Sequence, residues 1–418
     1  MSVNLFLPIS RYWSRIPVQF WTSFFCAGIF LPNGLKTISL ICLLAYFLQG
    51  QKRAAWWQHF RKDYFSLAFA FFFLITAISG LWSENKTEFL SELQSKIPFL
   101  AVALVLNRFN TRINSAVKPF LISLYWAGIL ISVGCLIRGF FFSGKSLAES
   151  LVYEELASFS SLQPIYLSLF LILSSIAWYT LQQKNELPRA AFHRFAPVFF
   201  YLMVVQLSSR TELMVYTGGV FFVLFRHFRE HLGKLIAVLG GFAFLTVLLI
   251  CLDKTNLSRY REMLDFQQDY KQNVWGGRSL RLEKWKNTWE CYQQFPLLGT
   301  GAGDCSDELQ RIYKKNTFDI AYNAQYNPHN QYLQTLLTLG PVGLFLFLSA
   351  FLIAFRRAYH KSSFVLFLLT YAFAASMITE SMLERQTGVF LFTIILGFFA
   401  CADPEKSGLS GAFTEPVQ

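Results

Sequence analysis

Charge is scarce in this chain. Only 15% of its 418 residues are Asp, Glu, Lys or Arg, where a soluble domain carries roughly 25%. A water-soluble globule is therefore excluded as the whole molecule. Cysteine is also scarce, with seven in all, and none is spaced as a zinc site requires. No glycine spacing matches a dinucleotide-binding turn. No Asp-x-Asp pair sits in a sizeable cytoplasmic segment, which argues against a nucleotide-sugar enzyme and its catalytic metal. No internal repeat of the kind many transporters carry is visible. The first apolar run follows Arg11 and Arg15 and lacks a small-residue cleavage site, so no cleavable signal peptide is expected.

What is present is apolar and aromatic. Hydrophobic residues make up 54% and aromatic ones 18%, with 46 phenylalanines. Runs of about 20 apolar residues match a hydrocarbon core of about 30 Å. The fold class expected is an all-α polytopic membrane protein of about twelve spans. These lie at 16–32, 35–50, 64–82, 97–106, 117–140, 163–182, 195–209, 211–225, 235–252, 332–355, 362–379 and 387–402. The run 97–106 is short and needs its flank from about Ser91 to cross. The two runs around Arg210 are short as well, so a broken or tilted helix is expected there.

Basic residues set the orientation. Lys52, Arg53, Arg61 and Lys62 share one loop. Arg108, Arg112 and Lys118 share the next basic loop, then Lys184, Arg189 and Arg194, then Arg226, Arg229 and Lys234, then Arg356, Arg357 and Lys361. All fall on one side if the count is twelve. By the positive-inside bias that side is cytoplasmic, as are both termini. The formal charge of +12 follows from this bias, and nucleic acid is not an expected partner. Four parts result: spans one to nine over 1–252, a large outer loop over 253–331, the last three spans over 332–402, and a short cytoplasmic tail over 403–418.

The outer loop is nearly neutral, with eleven Lys or Arg and ten Asp or Glu. Leu282, Trp285, Trp289 and Tyr292 recur at spacings of three and four, which places them on one helical face. Such a helix lies along the membrane surface or packs on the bundle. Cys291 and Cys305 also lie in this loop and pair only if the compartment is oxidising and the geometry allows. Pro296 is followed by Gly299, Gly301 and Gly303. Glycines so spaced permit tight turns, or a backbone cradle for phosphate; a plain turn is the simpler alternative.

The order of certain pieces resembles the O-antigen ligase and polymerase superfamily. They are Ser209-Arg210 at an outer membrane edge, Arg281 with Trp285, and Pro296 with Gly299 and Gly301. Then come Pro328-His329-Asn330-Gln331-Tyr332-Leu333 and, inside the next span, Gly340 and Gly343. The resemblance covers about 205–350; the first half matches in hydropathy and topology only. It implies a GT-C-like membrane glycosyltransferase without cofactor or metal. Such an enzyme works on the periplasmic face of a bacterial inner membrane. The implied donor is a glycan on undecaprenyl diphosphate, and the implied acceptor of a ligase is lipid A-core. A polymerase of lipid-linked repeats and a protein O-oligosaccharyltransferase are alternatives. A lipid-linked glycan flippase is an alternative of another class. A compact chain with one large outer loop favours the ligase.

The chemistry expected of each residue follows. Arginine offers a permanent charge and a planar fork of donors to diphosphate, so Arg210 and Arg281 are candidate catalytic cations. A snorkelling arginine and a solvated loop cation are the respective alternatives. His329 is a candidate general base beside Asn330, a natural N-cap. Arg278, Asn330, Tyr332, Gly299, Gly301 and Glu380 are candidate substrate contacts. For Tyr332 packing is the commoner role, and for Glu380 a solvated charge is, although Glu380 at a helix end is placed to orient an arginine. Related sequences carry His where this chain has Gln163, so no acid–base role is assigned there.

Overall fold

In the computed structural model the described residues are 16–49, 56–188, 190–252, 257–258 and 278–407. Arg11, Arg15, Lys52, Arg53, Arg189, most of 253–277 and the tail beyond Ser407 lie outside them. The described residues are helical, with no strand among them. Every predicted span coincides with a helix. The first group comprises α1 (Val18–Gly28), α2 (Asn33–Leu48), α3 (Tyr64–Ser79), α4 (Lys86–Val105) and α5 (Ile113–Phe141). It continues with α6 (Pro164–Gln183), α7 (Ala191–Gln206), α8 (Arg210–Phe228) and α9 (Leu232–Leu252). The outer region supplies α10 (Arg278–Tyr292), α11 (Cys305–Lys315) and α12 (Asp319–Asn323), and the chain closes with α13 (Gln331–His360), α14 (Phe364–Ser376) and α15 (Gln386–Cys401). By length and composition α5, α6, α9 and α13 suffice to cross a membrane; α2, α3, α14 and α15 are apolar but shorter.

Two boundaries differ from the hydropathy reading. Helix α4 starts at Lys86, well before the apolar run, because Asn85 caps it by accepting from Glu88 N. Asp304 of the outer region then accepts from the backbone N–H groups of Glu84 and Asn85 at 2.7 and 2.8 Å. The two runs around Arg210 are separate helices. Their join, Leu207-Ser208-Ser209, turns through Ser208 at φ +50°, and α8 begins at Arg210.

The core is apolar and continuous through α1 to α8 and α13 to α15. Helix α6 is the most buried of the long helices, and α9 is almost wholly exposed, as befits a lipid-facing edge. On the basic-loop side, Arg357 of α13 pairs with the fully buried Asp63 and donates to Ala400 O at 2.9 Å. Asp63 also caps α3 by accepting from Phe65 N. A charge this deep persists only when paired and hydrogen-bonded.

The outer region has its own small core of Leu280, Cys291, Leu309, Ile312, Tyr313 and Phe318, closed by Leu337 of α13. Cys291 and Cys305 are both free and buried, and Cys305 Sγ instead accepts from Thr338 at 3.1 Å. Helix α10 is oriented against its apolar stripe. Lys284, Asn287 and Thr288 are buried against the protein, while Leu282 and Trp289 face outwards. An outward apolar face beside a membrane protein belongs at the lipid–water interface.

Helix α13 breaks at Gly340, where φ is +65° and ψ −169°. Pro341 follows and has no N–H, so the carbonyl of Leu337 loses its helical donor. The outer loop replaces it. Thr300 N donates to Leu337 O at 2.8 Å, and Gly301 N donates to Thr338 O at 2.9 Å. The loop must come very close to do this. A Cβ on Gly299, which sits at φ +70°, would lie 2.6 Å from both of those carbonyl oxygens. Gly299 and Gly301 are thus committed to α13, and the amides at 300 and 301 are already used; this is the turn alternative, not the phosphate cradle.

Gly299→Ala is expected to destabilise by at least about 2 kcal/mol, from the left-handed backbone plus the clash. Gly34→Ala, where a Cβ meets nothing within 4 Å, should be neutral or slightly stabilising. Thermal melting of the two purified variants in one detergent checks the difference.

Candidate active site

One cavity of about 220 Å³ gathers Arg210, Arg281, Lys284, His329 and Glu380. They arrive on four supports. Arg210 is the first residue of α8, and Thr211 beside it bonds Thr379 at 2.6 Å. Arg281 and Lys284 lie one turn apart on the buried side of α10. His329 ends the loop before α13, and Glu380 follows α14. The starts of α6 and α8 also border the cavity, through Gln163 and Pro164 and through Ser209 and Arg210. Helix N-termini add partial positive charge. Arg210 is 8% exposed and Lys284 3%, so these cations act in a medium that screens them weakly.

The loop before α13 is held by a set of hydrogen bonds. Asn330 caps the helix by accepting from Leu333 N at 3.0 Å, and its own N donates to Ser381 Oγ at 3.1 Å. Gln331 N donates to Met377 O at 2.9 Å, and Gln331 Oε1 accepts from Leu383 N at 2.7 Å. These contacts tie the α14–α15 connection to the start of α13 and so bring Glu380 against His329. The backbone of His329 is left-handed, at φ +48°, with its N donating to Asn327 Oδ1. Such a conformation costs energy in a non-glycine residue and persists where its surroundings impose it.

His329 Nδ1 lies 3.0 Å from Glu380 Oε2. Burial pushes the Glu380 carboxyl up, but the bond to His329 and the charges of Arg281 and Lys284 outweigh it, leaving it below its ordinary value. An ionised carboxylate can only accept. Nδ1 therefore carries the proton, and Nε2 keeps its lone pair for the cavity. Burial lowers the His329 pKa, Glu380 raises it, and Lys284 and Arg281 lower it; the balance is below the ordinary value. The imidazole is neutral near pH 7. Burial, and then Arg281, bring the Lys284 ammonium down to about 7.

The remaining sequence candidates sit elsewhere. Tyr332 donates to Ala374 O at 2.7 Å and packs on Phe347, a structural role. Asn330 is the helix cap. Arg278 is exposed at the start of α10 and does not line the cavity. Glu380 is 6% exposed, so it is not a solvated charge; it bonds His329 and also feels the charge of Arg281. The sequence reading assigned no role to Lys284, although its i, i+3 spacing from Arg281 was a usable signal. It gave no indication of Tyr326. That ring lies 4.6 Å from Lys284 Nζ and makes an edge contact with His329 at 5.8 Å.

In ¹⁵N-histidine NMR, His329 should titrate below pH 6.5. Glu380→Gln removes an anion that favours the imidazolium, so the midpoint should fall further. An unchanged midpoint would show that the carboxylate does not act on the ring.

No curated protein matches the chain. Residues 195–348, from α7 through the outer region into α13, match the family model described as O-antigen ligase. The matched segment bears Arg210, Arg281 and His329, and the match makes that part of the chain similar to the O-antigen ligase family.

Proposed function

We propose that the protein is an O-antigen ligase, a glycosyltransferase that moves a glycan from undecaprenyl diphosphate to lipid A-core on the periplasmic face of the inner membrane. The observation that carries this is the meeting of three cationic side chains with a neutral, carboxylate-oriented imidazole in one cavity. In this proposal Arg210, Arg281 and Lys284 grip the diphosphate, helped by the starts of α6 and α8. The anomeric carbon–oxygen bond to the phosphate breaks, and its electron pair leaves with undecaprenyl diphosphate. An acceptor hydroxyl forms the new bond and gives its proton to His329 Nε2. Fixed cations aimed at the developing negative charge supply most of the acceleration, and the imidazole adds general-base catalysis. The orientation proposed has both termini cytoplasmic and the outer loop periplasmic.

Arg210→Ala and Arg281→Ala should each lower transfer in proteoliposomes by about 150-fold, the equivalent of a 3 kcal/mol contact. Wild-type turnover in the double variant would overturn the proposal. The free-enzyme rate, kcat/KM, should rise with pH through the lowered His329 titration. It should fall above about pH 7 as Lys284 loses its proton. Deletion in the host separates the family's branches. Loss of every lipopolysaccharide ladder band, with lipid-linked polymer accumulating, marks a ligase; a core bearing one repeat marks a polymerase.

A further inference from the structure

A second cavity, of about 250 Å³, lies on the other side of Tyr326, and that residue lines both. Its chemistry is opposite to that of the first. The walls include Glu88 and Glu92 of α4, Glu384, and the amides Gln310 and Gln334. The cation in it, Lys96, is occupied: it bonds Glu92 at 2.7 Å and Leu383 O at 2.6 Å, with Glu384 at 4.0 Å. Burial and the charge of Glu92 raise the Glu384 pKa, but Glu88 and Glu92 still leave the wall anionic. A phosphate or an acidic sugar would be repelled here.

The second observation concerns the amides. Gln310 and Gln334 are each 7% exposed. Their nitrogens are engaged, Gln310 Nε2 with Tyr326 O at 3.3 Å and Gln334 Nε2 with Cys305 Sγ at 3.4 Å. Their Oε1 atoms have no hydrogen-bond partner among the described residues. A buried acceptor left unpaired costs about 1–3 kcal/mol, so each oxygen calls for a donor. With the carboxylates of the wall, these oxygens ask for a ligand rich in O–H or N–H groups.

We propose that this cavity is a subsite for an uncharged or amine-bearing sugar, seated beside the anion-gripping cavity so that Tyr326 separates sugar from diphosphate. The assignment deepens the glycosyltransferase reading and rests on it for the identity of the sugar's carrier, which is either the acceptor or the donor glycan.

The test uses the full chain in lipid nanodiscs, with saturation-transfer NMR and three soluble probes. These are chitotriose, its de-N-acetylated trimer and a phosphorylated trimer. The first two should bind saturably and the phosphorylated one at least tenfold more weakly. The Gln310→Leu, Gln334→Leu double variant should weaken binding at least tenfold, whereas Arg210→Ala should leave it unchanged. If the double variant does not fold, as judged by its melting curve, Glu88→Gln serves instead: the preference against the phosphorylated probe should shrink at least threefold. Absence of saturable binding, or equal binding of the phosphorylated probe, overturns the subsite. Transfer assays then locate the sugar. A raised KM for the acceptor assigns it to the acceptor, and a raised KM for the donor assigns it to the donor glycan. Neither KM moving overturns the proposal. Saturable sugar binding by a wild-type chain that transfers nothing would leave the subsite standing while the proposed function falls.

Discussion

The arrangement depends on a carbonyl that Pro341 deprives of its donor. A backbone acceptor left unpaired at the edge of a membrane is costly, and here the outer loop supplies the missing N–H groups. Thr300 and Gly301 donate to Leu337 and Thr338, and the adjoining residues reach the end of α3 and the turn before α4. Ala302 N donates to Ser79 Oγ and Gly303 N to Ser83 Oγ, both at 3.1 Å. The outer helices are thereby fixed on the bundle by backbone geometry, which leaves the charged side chains of α10 available for a site. The break in α13, the glycines at 299 and 301 and the placement of Arg281 are one structural unit.

On that frame the two cavities divide polarity between them. One collects buried cations, helix starts and a histidine turned by a carboxylate. The other collects carboxylates and unpaired amide oxygens. A substrate with an anionic joint and a hydroxyl-rich body has complementary surfaces on the two sides of Tyr326. Burial first, and then the like charge of Arg281, bring the Lys284 ammonium down to about 7. Glu380 offsets part of that repulsion while it fixes His329.

Helix existence was legible from hydropathy, because burying a backbone in lipid demands long apolar runs. Helix boundaries were less so. Lys86 to Ser95 is largely polar, and the helix is started there by the cap at Asn85, itself held by Asp304. The aromatic stripe of α10 revealed the helix but not which face turns inwards: Leu280 and Cys291 enter the small outer core, Asn287 bonds Asn316, and Lys284 lines the charged cavity. Arg210, Arg281 and His329 stand out in the sequence through their motif order, and the structure brings all three to one cavity. Glu380 was read as a solvated charge because its partner is 51 residues away, and Tyr326 carried no local signal at all.

By itself the sequence determined the apolar helices of a membrane protein and, in its second half, a residue order that resembles the O-antigen ligases. Periodicity, span length and charge bias are local properties of the chain. The pairing of His329 with Glu380, the use of Gly299 and Gly301 to seal α13, and the meeting of two opposite cavities at Tyr326 were decided by the tertiary structure. Those are distances between groups far apart in the chain, and only packing fixes such distances.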